Sequence, residues 1–99
     1  MYLYKIISPE QWQHSQLQAF VEPTELDHDF IHLAQEHQVD GVIKKFWKDT
    51  PYLILTLDSS LLNGKLVLES NRPGGDRYYH LYNGSIPISS VVAIASPST

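Results

Sequence analysis

Lys65-Leu66-Val67-Leu68-Glu69 and Tyr78-Tyr79-His80-Leu81-Tyr82 are short apolar runs, each interrupted by titratable residues. Between them, residues 71–76 form a connection rich in Gly and Pro, and Asn63-Gly64 and Asn83-Gly84 flank the pair as turn signals. Two consecutive strands joined by a short connection pair antiparallel. Upstream, Tyr52 to Leu57 is a nearly continuous apolar run that suits a buried strand, and Asp58 to Leu62 suits a short helical turn. Downstream, Ser90 to Ala95 reads as a final strand.

The first half supplies the helices. Met1 to Ile7 reads as a strand with a lysine inside it. Ser8-Pro9-Glu10-Gln11 is a helix start, with Ser8 as cap, Pro9 at the first helical position and Gln11 completing a capping box. Trp12, Ala19 and Phe20 are expected on its inward face. Val21 to His28, with Pro23 and several acids, reads as a loop, and Asp29 to Ala34 as a short strand. Gln35 to Lys48 reads as a second helix, because Val39, Val42, Ile43 and Phe46 recur at helical spacing. About six strands and two helices in this order make an α+β fold.

The 99 residues are expected to form a single domain over 1–99. The absence of cysteine excludes disulfides, thiolate metal sites and cysteine nucleophiles. Seven basic and eleven acidic residues give a net charge of −4, which argues against general nucleic-acid binding. No leader is evident, and no run approaches the ~18 apolar residues of a membrane span. The expectation is a soluble, cytoplasmic protein without a membrane partner, its oligomeric state left open.

Side chains alternate faces along a strand. Phe30 and His32 therefore share one face, as do Val67 and Glu69, and as do Tyr78, His80 and Tyr82. Three strands each set a titratable group beside apolar or aromatic neighbours. His32, Glu69 and His80 are expected to converge in a small-molecule cleft with aromatic walls. The bland alternative is a structural domain whose histidines only satisfy buried hydrogen bonds. The only two arginines, Arg72 and Arg77, bracket Pro73-Gly74-Gly75-Asp76. Glycine permits close approach of backbone to an anion and arginine offers paired donors, so this connection is a candidate phosphate contact. No metal site is expected. His28, His32 and His37, with Asp27 and Asp29, have no recognised ligand spacing, and Cβ atoms four residues apart on a strand, such as those of His28 and His32, lie ~13 Å from each other. The serines lie in no nucleophile-elbow context.

Tyr4-Lys5-Ile6, Trp12, Phe30-Ile31-His32-Leu33, Gln38, Leu53 to Asp58, Glu69 and His80-Leu81-Tyr82 occur in an order that resembles the small bacterial proteins called domain of unknown function 952 (DUF952). The resemblance spans nearly the whole chain, and Phe-Ile-His-Leu and His-Leu-Tyr are its specific part. The chain departs from the family's usual residues at Asp29 (Gly), Ala34-Gln35 (Ser-Thr), Leu68 (Trp) and Tyr79 (Pro). The second departure removes the expected helix cap. The resemblance implies an ADP-ribosyltransferase-like fold, a split, mainly antiparallel sheet whose central cleft takes NAD as substrate. On that reading Glu69 stabilises positive charge on the ribose, and His32 or His80 binds ribose hydroxyls. Tyr78 or Tyr82 stacks on a ring, and Arg72 and Arg77 hold the pyrophosphate. The family carries no established reaction. A non-catalytic nucleotide- or metabolite-binding module stands as the alternative to an NAD-cleaving or ADP-ribosyl-transferring enzyme.

Overall fold

The computed structural model describes residues 1–24, 27, 29–70 and 72–96. Its strands are β1 (Tyr2–Ile7), β2 (Ile31–Leu33), β3 (Leu53–Asp58), β4 (Asn63–Ser70), β5 (Arg77–Ser85) and β6 (Val91–Ala95). The helices are α1 (Pro9–Ser15) and α2 (Val39–Phe46), with short 3-10 turns at Glu36–Gln38, Ser59–Leu61 and Ile88–Ser90. The fold is α+β. Two three-stranded antiparallel sheets run in the orders β1-β3-β6 and β2-β5-β4. They meet at one bridge, where Tyr4 and Ala34 exchange two backbone hydrogen bonds of 2.9 Å. No helix among the described residues is long and apolar enough to cross a membrane.

Both sheets turn apolar residues toward one core. Leu3, Ile7, Leu55 and Leu57 come from the first, and Ile31, Leu33 and Leu81 from the second, with Val21 and Ile86 closing the cluster. On the other side of β1, Ile6 and Ala34 pack with Val39 of α2, and Val42, Ile43 and Trp47 add to them. Phe46, the last residue of that helical stripe, is 50% exposed, so the stripe runs off the core at its end.

α1 opens as its sequence predicts. Gln11 N donates to Ser8 Oγ at 3.1 Å, and Ser8 N donates to Gln11 Oε1 at 3.1 Å. It ends earlier than the inward face expected through Ala19 and Phe20, both of which are exposed. Ser15 explains the turn away. Its buried hydroxyl donates to Gln11 O at 2.7 Å and accepts from Glu22 N at 2.8 Å, drawing the following chain back across the helix end. The second helical segment starts as a 3-10 turn without a Ser or Thr cap. Gln38 substitutes, because its Oε1 accepts from Gln35 N at 3.0 Å and its Nε2 donates to Arg77 O at 2.7 Å. One buried glutamine thus caps the helical segment and ties it to β5.

Asn63-Gly64 and Asn83-Gly84, expected as turns, lie inside the β4–β5 ladder at a register shift. Gly64 has φ +108 and Asn83 φ +51. A Cβ at Gly84 would sit 1.9 Å from Asn63 O, so the two strands approach there at a distance that excludes any side chain. The connection expected over 71–76 does join β4 to β5, and Asn71 lies outside the described residues.

Gly84→Ala should therefore lower stability by more than about 2 kcal/mol, since backbone rather than a flexible side chain must move. Gly74→Ala should cost less, because only its φ of +77 opposes it and nothing lies within 4 Å of the new Cβ. Urea midpoints of the two variants provide the comparison.

Candidate functional site

Lys5 falls on the same face of β1 as Leu3 and Ile7, so its stem enters the core between them. Its ammonium donates to Asp27 Oδ2 at 2.8 Å and to His32 O at 3.0 Å. The side chains of Lys5 and Asp27 are 5% and 0% exposed. Asp27 is saturated. Its Oδ2 also accepts from Thr24 N at 2.8 Å and from Thr24 Oγ1 at 3.0 Å. Its Oδ1 accepts from His32 N at 3.0 Å and lies 3.1 Å from His32 Nδ1. An ionised carboxylate can only accept, so His32 carries a proton on Nδ1. In the neutral ring Nε2 is then the bare nitrogen, and it has no hydrogen-bond partner among the described residues.

Burial alone would raise the Asp27 carboxyl. The hydrogen bond from His32 and the Lys5 charge outweigh it and hold the carboxyl far below the usual carboxylate range. Burial lowers the Lys5 ammonium from its ordinary value, and the Asp27 charge opposes that shift.

A cleft of about 760 Å³ opens beside this network. Lys5 and His32 line it, together with Glu10 and His14 of α1, Glu22, Val42 and Lys45 of α2, Trp47 and Tyr78. Its size falls within the roughly 300–1,000 Å³ of small-molecule sites.

His80 stands opposite both His32 and Val67 in the sheet. Its ring meets the His32 ring edge-on at 5.3 Å, and Phe30 stacks over it at 4.0 Å. His80 Nδ1 lies 2.7 Å from Glu69 Oε2, and the same oxygen accepts from the Tyr82 hydroxyl. Tyr82 first and His80 second hold the Glu69 carboxyl below its ordinary value, and the shared bond raises the Tyr82 phenol. Glu69 is 35% exposed, whereas the His80 side chain is 2% exposed. His80 Nε2 is buried and, among the described residues, unpartnered.

The chain from Ile6 to Ile94 matches the model of a family described as Protein of unknown function (DUF952), residues 6–94. The protein belongs to the DUF952 family. Its structure is similar to the crystal structure of protein CC0527 from Caulobacter crescentus, with a TM-score of 0.85 and 27% identity over 97% of this chain and 85% of that one. The crystal structure of a double mutant of CC0527 gives 0.84 and 26% over the same shares. The solution NMR structure of CC0527 gives 0.80 and 28% over 96% of this chain and 83% of that one. No curated protein matches the chain.

In this DUF952 chain, then, His32, His80 and Glu69 do gather on one face of the second sheet, and Tyr82 joins them through Glu69. They do not all line the cleft. His32 and Tyr78 do, while His80, Glu69 and Tyr82 do not, and Phe30 contacts the rings of His32, His80 and Tyr82. Arg72 lines a smaller hollow beside the cleft, and exposed Arg77 lines neither cavity. The two arginines therefore do not form one clamp. His28 lies outside the described residues, and no group of three or more His, Asp or Glu side chains among the described residues gathers as a metal set.

The Lys5–Asp27 pair was not among the expected site residues. Lys5 carried a signal, namely a charge on the alternating face that Leu3 and Ile7 assign to the core. In the sequence Asp27 figures only as a candidate metal ligand, because its ion-pair partner lies 22 residues away in the chain.

Asp27→Asn should cost roughly 3–5 kcal/mol, because it leaves a buried ammonium without its counter-charge. A folded-state pKa below the unfolded one contributes stability that is present above about pH 4 and lost as pH falls toward the folded value. Wild type should accordingly lose stability in that acid window, and the variant should lose less there, as read from denaturant midpoints across pH. Tyr82→Phe should raise the Glu69 titration midpoint, measured by carboxyl-detected NMR.

Proposed function

We propose that the protein binds a nucleotide-type small molecule, with NAD as the first candidate, in the cleft between its two half-sheets. The observation that carries this is His32, a ring fixed by a saturated, buried carboxylate, which lines a 760 Å³ cleft and whose Nε2 has no hydrogen-bond partner among the described residues. A nitrogen held this way is a ready acceptor for a ligand hydroxyl, and ribose offers such hydroxyls. Tyr78 and Trp47 supply ring faces for a base. The split antiparallel sheet with a cleft is also the arrangement of the ADP-ribosyltransferase-like fold, which supports the same ligand class. A bacterial cytoplasm is the compartment in which such a ligand is abundant.

Cleavage of NAD, or ADP-ribosyl transfer, is a second reading, and one observation favours it. Glu69 is held ionised by Tyr82 and His80, as a group that stabilises positive charge on a ribose must be. The reaction needs the ribose to reach Glu69, which does not line the cleft. Binding is therefore the primary reading, ahead of both catalysis and a purely structural role.

Calorimetry with NAD should give saturable binding that His32→Ala weakens about tenfold, the scale of a lost ligand hydrogen bond. Failure of NAD, ADP-ribose, nicotinamide riboside and adenosine all to bind or to raise the melting temperature would sink the proposal. Nicotinamide release that Glu69→Gln abolishes, with NAD binding retained, would promote the catalytic reading.

A further inference from the structure

A second hollow, of about 170 Å³, lies where the end of α2 meets the β4–β5 connection. It is lined by Lys45, Arg72, Gly75, Asp76 and Tyr78. Lys45 and Tyr78 line the large cleft as well, so the two spaces share a wall. At under a quarter of the cleft's volume, the hollow suits a small polar group rather than a whole nucleotide.

Lys45 and Arg72 are exposed, and neither forms an ion pair among the described residues. Lys45 Nζ lies 5.2 Å from the Phe46 ring centroid, a contact that leaves its protons available. Arg72 is set in place by a missing side chain. A Cβ at Gly75 would come within 3.0 Å of Arg72 Cγ and 3.4 Å of its Nε, so the guanidinium stem lies across the glycine. Gly75 N also donates to Arg72 O at 3.1 Å, closing the turn. Asp76 adds one negative charge to the hollow.

We infer that this hollow is the phosphate subsite of the cleft, taking the pyrophosphate of a dinucleotide between Lys45 and Arg72 with Tyr78 at the junction. The inference rests on reading the cleft as a nucleotide-type site and names the part of the ligand that extends out of it. Two cations against one carboxylate leave one net positive charge. That partly offsets the two negative charges of a pyrophosphate bridge, one for each phosphate, and Lys45 and Arg72 supply one cation to each. Arg77 has no part in it.

Calorimetry of wild type and the Arg72→Ala variant, which alters the hollow and not the cleft wall, with NAD, ADP, adenosine and nicotinamide riboside tests the subsite. Wild type should bind NAD at least about tenfold tighter than either nucleoside, and the advantage should shrink with added salt. The variant should lose the advantage while its nucleoside affinity and its melting temperature without ligand stay unchanged. Gly75→Ala, which displaces Arg72 without removing charge, should lose part of it. A variant that keeps the full NAD-over-nucleoside ratio overturns the subsite and leaves the cleft reading standing. A wild type that binds nucleosides and NAD equally does the same. A wild type that binds none of the four removes both.

Discussion

The Lys5–Asp27 ion pair is the constraint on which the site depends. It sits where the first sheet and the second sheet converge, and it is almost wholly out of water. Two charges in such a place are tolerable only when each finds further partners. Asp27 meets that condition with the backbone and hydroxyl of Thr24 and the backbone and ring of His32. The same bonds that make the burial tolerable tie Asp27 to Thr24 and His32 and fix the orientation of an imidazole on the cleft wall. Stability and site geometry thus share one set of atoms.

Two carboxylate–imidazole pairs stand side by side on the second sheet, and their surroundings separate them. Asp27 is buried and His32 is partly open to the cleft. Glu69 is partly open and His80 is buried under Phe30. In each pair the acid occupies Nδ1 and leaves Nε2 without a partner among the described residues. The ring that lines the cleft is therefore His32, although the sequence pattern treats the two histidines alike.

Much of the fold was legible because the local signals agreed with one another. The Ser8–Gln11 capping box, the apolar run of β3 and the alternation along β4 and β5 all carried through. Alternation also set His32 beside Phe30, Glu69 beside Val67 and His80 between Tyr78 and Tyr82, each on its own strand, whereas the strand register is what brings the three faces together. What stayed hidden depends on contacts between distant segments. The early end of α1 is made by Ser15 reaching Glu22, and the start of the second helical segment is held by Gln38 reaching Arg77. Asn-Gly pairs mark turns by local conformation, but here the positive φ of Gly64 serves a close strand crossing within a ladder. That cannot be told from a turn without knowing the partner strand. The separation of Arg72 from Arg77 follows from strand geometry, because Arg77 already belongs to β5.

The single Tyr4–Ala34 bridge gives the molecule a mechanical character. Each half-sheet is a plate cross-linked along its own ladders, and among the described residues the backbone seam between the plates consists of two hydrogen bonds. Residues adjacent to that seam, Lys5 on one plate and His32 on the other, are riveted to a common carboxylate. Parting the seam would strand one of those buried charges and open the core that both plates share, so the rivet holds the span of the recess.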